Sequence, residues 1–569
     1  MQFSFTARQP DALLLQALDS LQHGQPEAAE RLARKLLRKQ PAHVDALCLL
    51  GWLALQQNQC AAAKPLLERA LRLAPESIFA LASLSEVEAE LGAPTAALDY
   101  ARRALTLAPD NAELLLLLGN TLSEQDPTAA IAHYTQAIAR QPDLLAAWRN
   151  RGILQLQQGQ LDAAEQSLQH ALTLDAADFS SHFNLAKLQL SRQQPAAALQ
   201  SLDQAVRLRA DSAEGHNLRG IALQALQRHA DALASFALAS TLAPQFAAAH
   251  WNEALCALSQ GDWRSEVWQK FEAGWAIGQR QPREQFSMPL WLGDSEIGGK
   301  TLLVHDEQGL GDTLQFVRFV PQLLAHGIRV VLRVQAALKS LLSSLHGTFP
   351  GIAPDLLQII AHDEAAPPSD YHCPLLSLPL ALRSTLAELP ADTPYLHAPA
   401  AQAERWQARL ADARRPRIAL ACSGNPDHPN DRQRSIALEQ FRPLLTALQD
   451  RASLFLLQKD CRSSDLASWQ SLPWLQDLRS ELHDFADTAA ALAHCDLLIS
   501  VDTSVAHLAG ALGRPCWLLL PFAADWRWMH SREDSPWYPQ MRLFRQHQAG
   551  DWAEVIARVQ QSWLTQHST

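Results

Sequence analysis

Alanine recurs along the first half of the chain at a fixed interval: Ala29, Ala63, Ala97, Ala130, Ala164, Ala198 and Ala232, 34 residues apart except for one step of 33. A second series, Ala70, Ala104, Ala137, Ala171, Ala205 and Ala239, keeps the same phase. Pro41, Pro75, Pro109, Pro142 and Pro244 mark the unit ends, with Ala176 and Ala210 in register, and Gly51, Gly119, Gly152 and Gly220 open the middle of most units. The period is that of two antiparallel helices and their turns. Small residues let such helices approach closely, and proline stops the second one because it cannot continue the hydrogen-bond ladder. One pair cannot bury its apolar face alone, so the units must stack into an all-α solenoid.

These residues resemble tetratricopeptide repeats, and the resemblance predicts a repeat solenoid over residues 10–276. Seven units are regular, and an eighth, atypical one from Ala247 is placed to cap the array. Such solenoids carry a concave groove lined by the first helix of each unit. Asn150, Asn184 and Asn252 share one position in three units, with Leu218 taking it in the unit between. An amide both donates and accepts, so such a column suits an extended peptide backbone of a protein partner, and it also suits a plain solvated face.

The period stops after Trp275 and the pattern changes. Residues 277–300 read as a linker. Short aliphatic runs, "TLLVH", "RVVLRV", "RIALACSG", "SLFLLQ", "DLLISVD" and "PCWLLLP", then alternate with helical spacing or polar turns. That alternation predicts an α/β unit of parallel sheets, divided by the proline- and charge-rich segment 399–416 into Rossmann-like halves at 301–398 and 417–569. A chain of 569 residues has room for these domains.

Composition narrows the function. A net charge of −11 argues against nucleic acid as the main partner, since phosphate backbones need a basic surface. The longest apolar runs fall short of a membrane span, and the N-terminus has no basic lead or cleavage site, so a cytoplasmic location is expected. None of the eight cysteines forms a C-x-x-C pair, and no His, Cys and carboxylate cluster has metal spacing, so no metal and no cofactor is expected. P-loop, dinucleotide-fingerprint and nucleophile-elbow motifs are missing.

Four segments fall at expected strand ends. One is Gly309-Leu310-Gly311-Asp312, a tight turn between two apolar runs. The second, "CSGNPDHPNDRQRS", holds Ser423, Gly424, Asn425 and Arg434. The third places Gln458 and Lys459 after a strand. In the fourth, "SVDTSVAHLAGALGRP", Asp502, Thr503 and Ser504 start a helix with His507 in its first turn. A hydroxyl cap at Thr503–Ser504 and free helix N–H groups attract phosphate, and Arg434, Lys459 and His507 add donors. Trp526, Trp528, Trp537 and Tyr538 crowd into thirteen residues, suited to sugar stacking or to closing a packed loop.

In this order the segments resemble the GT-B glycosyltransferases, specifically the bacterial heptosyltransferase-like group fused to tetratricopeptide repeats. "DYHCPLLSLPLAL" fits as well, and the likeness spans about Trp291 to Trp552. The arrangement is also similar to O-linked N-acetylglucosamine transferases and flagellin glycosyltransferases. The resemblance implies an inverting, metal-independent protein O-glycosyltransferase, with flagellin as the first candidate acceptor. It implies Asp312 as general base, with His305 and Glu307 as runners-up. It further implies a nucleotide-sugar site at Ser423, Gly424, Asn425, Arg434, Lys459, Asp502, Thr503, Ser504 and His507. The alternatives are a transferase acting on lipid-linked glycan and a scaffold that senses nucleotide without catalysis.

Overall fold

The computed structural model describes residues 11–280, 286–348, 354–428, 430–459 and 462–567. Pro10, Pro429, Cys461 and residues 281–285 of the expected linker lie outside them.

The chain divides into two compact units, Met1–Ala222 and Leu223–Thr569. In the first, helix pairs run from Ala12–Gln22 and Pro26–Lys39 to Phe179–Ser191 and Pro195–Leu208. Both alanine series are fully buried where the paired helices touch. Gly51 is needed for the same reason: a Cβ there would lie 2.5 Å from Leu67 Cγ. The expected 34-residue helix pairs are present, including the atypical eighth, Ala247–Ser259 (α1) with the short Ser265–Phe271 (α2).

The packing boundary falls earlier than the end of the repeat pattern. α1 and α2 contribute Trp251, Leu258, Trp268 and Phe271 to one core shared with Leu302, Phe316, Trp526 and Trp537 of the α/β part. Trp263 lies 4.9 Å from Trp537 and 5.4 Å from Trp268 between ring centroids. The last repeat is therefore buried against the α/β region, where a cap would have faced water.

That region holds two parallel sheets. Thr301–His305 (β1), Arg329–Val334 (β2), Leu357–Ala361 (β3) and Tyr371–Pro374 (β4) form a sheet of order β3-β2-β1-β4. Arg417–Ala421 (β5), Ser453–Leu456 (β6), Leu475–Asp477 (β7), Leu497–Val501 (β8), Cys516–Leu520 (β9) and Met541–Arg545 (β10) form a second, of order β10-β9-β8-β5-β6-β7. Every pairing between these strands is parallel. The second order is that of a doubly wound dinucleotide-binding sheet, whose topological switch lies between β5 and β8. The six strands read from sequence are all present. β3, β4, β7 and β10 carry a weaker sequence signal, because their runs are short or interrupted by polar residues.

Two helices matter for the site. Leu310–Phe316 (α3) follows β1, and Ser504–Ala511 (α4) follows β8. They pack against each other through Gly311, where a Cβ would lie 2.9 Å from His507 Cδ2 and 3.4 Å from Ser504 Cα. The glycine turn is thus a point of close approach between the two sheets' helices.

Candidate functional site

A cavity of about 910 Å³ opens at the carboxyl ends of β1, β5 and β8. This is where a doubly wound sheet binds its ligands, in the crevice at the switch point. Its charged wall includes Asp312, Asp427, Arg434, Asp502, Asp525 and Arg527, with His428 beside them, and its apolar wall includes Trp251, Leu255 and Phe271 from the last repeat.

Asp312 sits in the first turn of α3. Its Oδ2 accepts from the Gly309 N–H at 3.0 Å, and its Oδ1 accepts from Arg527 Nη2 at 2.5 Å. Burial pushes the carboxyl above the ordinary aspartate range, and the Arg527 guanidinium opposes that push. Asp502, at the end of β8, is pushed up to about 6 by burial and then by the neighbouring Asp525.

Arg434 ends a short helix, Asp431–Arg434, and its guanidinium lies over the backbone of Gly424. A Cβ on Gly424 would come within 2.8 Å of Arg434 Nη2. Among the described residues no side chain or carbonyl accepts from the buried Arg434 Nε. A buried donor without a partner is costly unless a ligand completes it.

Across from it, α4 begins with no side-chain hydrogen bond from its N-cap, Thr503. The expected hydroxyl cap is not formed, although Thr503 holds the extended backbone usual for an N-cap (φ −152°, ψ 168°). Ala506 N–H donates to the Thr503 carbonyl at 3.0 Å, while the Ser504 and Val505 N–H groups have no partner among the described residues. Open N–H groups at a helix start attract anions.

His507 lines the cavity as a neutral imidazole, its pKa lowered well below the usual value by burial and then by Arg527. Its Nδ1 meets Tyr538 Oη at 3.0 Å, and its face stacks on Trp528. His428, in the loop after β5, is also held neutral by burial and by Arg434. Its Nδ1 accepts from the Asn430 N–H at 3.1 Å, which leaves the ring proton on Nε2.

The structure does not gather every expected residue. Lys459 is exposed, donates to the His483 carbonyl at 2.9 Å, and does not line the cavity. The chain turns away after β6, and the cavity cations among the described residues are Arg434 and Arg527 instead. Ser423 is buried and bonded to Gln458, whose Oε1 accepts from the Ser423 N–H at 2.8 Å, and Gly424 supports Arg434 from beneath. These two shape the loop, while Asn425 lines the cavity. The runners-up are engaged elsewhere. Glu307 is buried against Arg280 and the Leu376 N–H, and burial pushes it up to about 7; His305 Nε2 meets His372 Nδ1 at 3.3 Å. Trp526, Trp528, Trp537 and Tyr538 are buried, so the aromatic segment closes a packed loop, and only Trp526 reaches the cavity.

The asparagines of the repeats have partners. Asn150 donates to Asn120 Oδ1 at 2.9 Å, and Asn184 donates to the Ser180 carbonyl one turn back at 2.8 Å. Asn252 is also engaged. A peptide held here would have to compete with these bonds at Asn150 and Asn184.

Sequence reading passed over Arg527, Asp525 and His428. Arg527 stands between two tryptophans in "DWRW", where the aromatics drew attention, and nothing local ties it to an aspartate 215 positions away. Among the described residues no three His, Cys, Asp or Glu side chains gather as a metal site would need.

The tetratricopeptide repeat family model matches residues 14–59, 48–112, 122–180 and 183–245. The helical array is a tetratricopeptide repeat array. Such arrays typically bind protein partners. Protein FlbA of Caulobacter vibrioides is 27% identical over 315 residues, which cover 52% of this chain and 51% of FlbA. The chain thus spans about half the length of the curated relative it matches. Solved structures that match part of the chain include Pseudomonas aeruginosa pilF, at 24% identity and a TM-score of 0.34, covering 36% of this chain and 94% of that one. PilW, a type IV pilus biogenesis factor, is 22% identical with a TM-score of 0.34, over 36% of this chain and 94% of its own. Among the described residues no helix is long and apolar enough to cross a membrane.

Proposed function

We propose that the chain is a protein O-glycosyltransferase of GT-B type, which moves a sugar from a nucleotide-sugar donor to a Ser or Thr of a polypeptide bound by the repeats. Inversion at the anomeric carbon follows from a single displacement. Asp312 takes the proton of the acceptor hydroxyl as its oxygen attacks, and the sugar's bond to the diphosphate breaks with its electron pair leaving on phosphate. Arg434 and the open N–H groups of α4 meet the charge that develops there.

The observation that carries this reading is a single cavity of about 910 Å³ lined by both the Arg434 guanidinium, whose buried Nε has no partner among the described residues, and the helix start at Thr503 and Ser504. The resemblance in the strand-end segments supports it, as does the last repeat, which walls the cavity with Trp251, Leu255 and Phe271.

A thermal-shift panel of UDP, GDP, ADP, TDP and CMP tests it, with Arg434→Ala as control. A nucleotide at a hundredfold over its Kd stabilises by about 2.7 kcal/mol. A shift with one nucleotide, lost in Arg434→Ala, is expected and names the donor class; flagellin is then the first acceptor to assay. Silence across the panel turns the reading toward a protein-binding scaffold.

A further inference from the structure

We propose that Arg527 is the positioning residue that makes Asp312 a usable base, reaching from the six-stranded half to hold and aim a carboxylate that belongs to the other half. This rests on the transferase reading above.

The geometry is specific. Arg527 follows β9, whereas Asp312 follows β1. The guanidinium grips α3 at two points one turn apart: Nη2 donates to Asp312 Oδ1 at 2.5 Å, and Nε donates to Gln315 Oε1 at 2.9 Å. Nη1 is tied back to Asp525 Oδ1 at 2.9 Å, and the guanidinium carbon lies 4.5 Å from the centre of the Trp526 ring. Only 9% of the Arg527 side chain is exposed. With Gly309 N–H on Oδ2 and Arg527 on Oδ1, both carboxylate oxygens are held, and lone pairs remain for an acceptor hydroxyl.

The charges around Asp312 show why the arginine matters. Asp525 faces it from the loop after β9 and His428 from the loop after β5, with Asp502 and Arg434 further round the cavity. His507, packed on Gly311 from α4, is neutral. Without Arg527, the half-buried carboxylate would stand beside Asp525 with one weakly basic imidazole for relief, and its pKa would rise further, favouring the protonated form. A protonated Asp312 cannot take the hydroxyl proton, so the base depends on a cation supplied by the other half.

The test is the pH dependence of kcat/KM for the full chain, its Arg527→Gln variant and the conservative Arg527→Lys. Activity needs ionised Asp312 and is lost as pH falls through its pKa. Removing Arg527 raises that pKa, so the acid limb of Arg527→Gln is expected to move up by a pH unit or more. Activity should recover at high pH, and Arg527→Lys should shift less. A uniform loss at every pH with the limb in place overturns the proposal.

A second measurement needs no turnover. Thermal unfolding of wild type, Arg527→Gln, Asp312→Asn and the double variant, from pH 4.5 to 8, reads the coupling between the two residues. It is expected to be present at pH 8 and to fade on acidification; its absence throughout overturns the proposal. If no donor is ever turned over, the transferase reading falls, while this cycle still decides whether Arg527 holds Asp312 ionised. Arg527→Lys carries both comparisons if Arg527→Gln does not fold.

Discussion

Replacing Gly311 by alanine tests whether close approach of α3 and α4 is what builds the site. The new methyl would stand 2.9 Å from His507 Cδ2 and 3.4 Å from Ser504 Cα. Carbon atoms pack best at about 3.5–4.0 Å, so the imidazole would have to retreat by roughly 0.6–1 Å. Its retreat is restrained: its Nδ1 is held by Tyr538 Oη at 3.0 Å, its face stacks on Trp528, and the residue is 6% exposed. The second contact is backbone. The strain therefore separates the helix starts, at about 1–3 kcal/mol for an overpacked site. Asp312 is the next residue, and a displacement of about 1 Å can cost on the order of 10²-fold in rate. Urea unfolding of the full chain, with donor turnover alongside, reads both effects. Gly298→Ala is the control, because its Cβ would meet only the His326 carbonyl at 3.5 Å, an ordinary contact. If Gly311→Ala matches Gly298→Ala within about 0.5 kcal/mol, the spread of ordinary surface substitutions, and keeps full turnover, close packing is not what requires the glycine.

Gly424→Ala should push the Arg434 guanidinium off its seat and lower diphosphate affinity tenfold or more by titration calorimetry, with little loss of stability because a flexible side-chain end yields. Trp537→Ala empties a fully buried position between Trp263 and Phe316 and should cost about 3–5 kcal/mol in urea unfolding. Asp502, with its pKa near 6, is charged above that pH and repels a phosphate, so diphosphate affinity should rise from pH 7.5 to 5.5, and Asp502→Asn should flatten the rise. His530 stacks on His229 and is pushed down to about 4, by burial first. A histidine whose folded pKa lies below its unfolded 6.5 stabilises above that value, and the contribution is lost as pH falls toward 4. Melting curves across that window should show less acid loss in His530→Gln; the ring is partly exposed, so the effect should stay below about 2 kcal/mol.

The candidate site was partly legible. Asp312, Asn425, Arg434, Asp502, Thr503, Ser504 and His507 all line the cavity, because each follows a strand or opens a helix, and parallel strands deliver their carboxyl ends to one edge. Lys459 has the same sequence credentials and faces solvent. Position after a strand says which edge a residue reaches, but the turn that follows decides whether its side chain points into the crevice. Arg527 shows the converse, a residue without a motif that becomes central through a contact with Asp312.

The repeat array is legible in the residues alone, since period, small residues and helix stops are local properties that every unit repeats. So is the parallel α/β character, through short aliphatic runs each followed by a helix or polar turn. Tertiary structure alone decided that the last repeat is buried among tryptophans of the α/β region and walls the cavity. It alone paired Asp312 with Arg527 and left Arg434 Nε without a partner. The reason is physical: helix and strand patterns are written in neighbours a few residues apart, whereas burial, charge pairing and the shape of a cavity depend on residues brought together from hundreds of positions away.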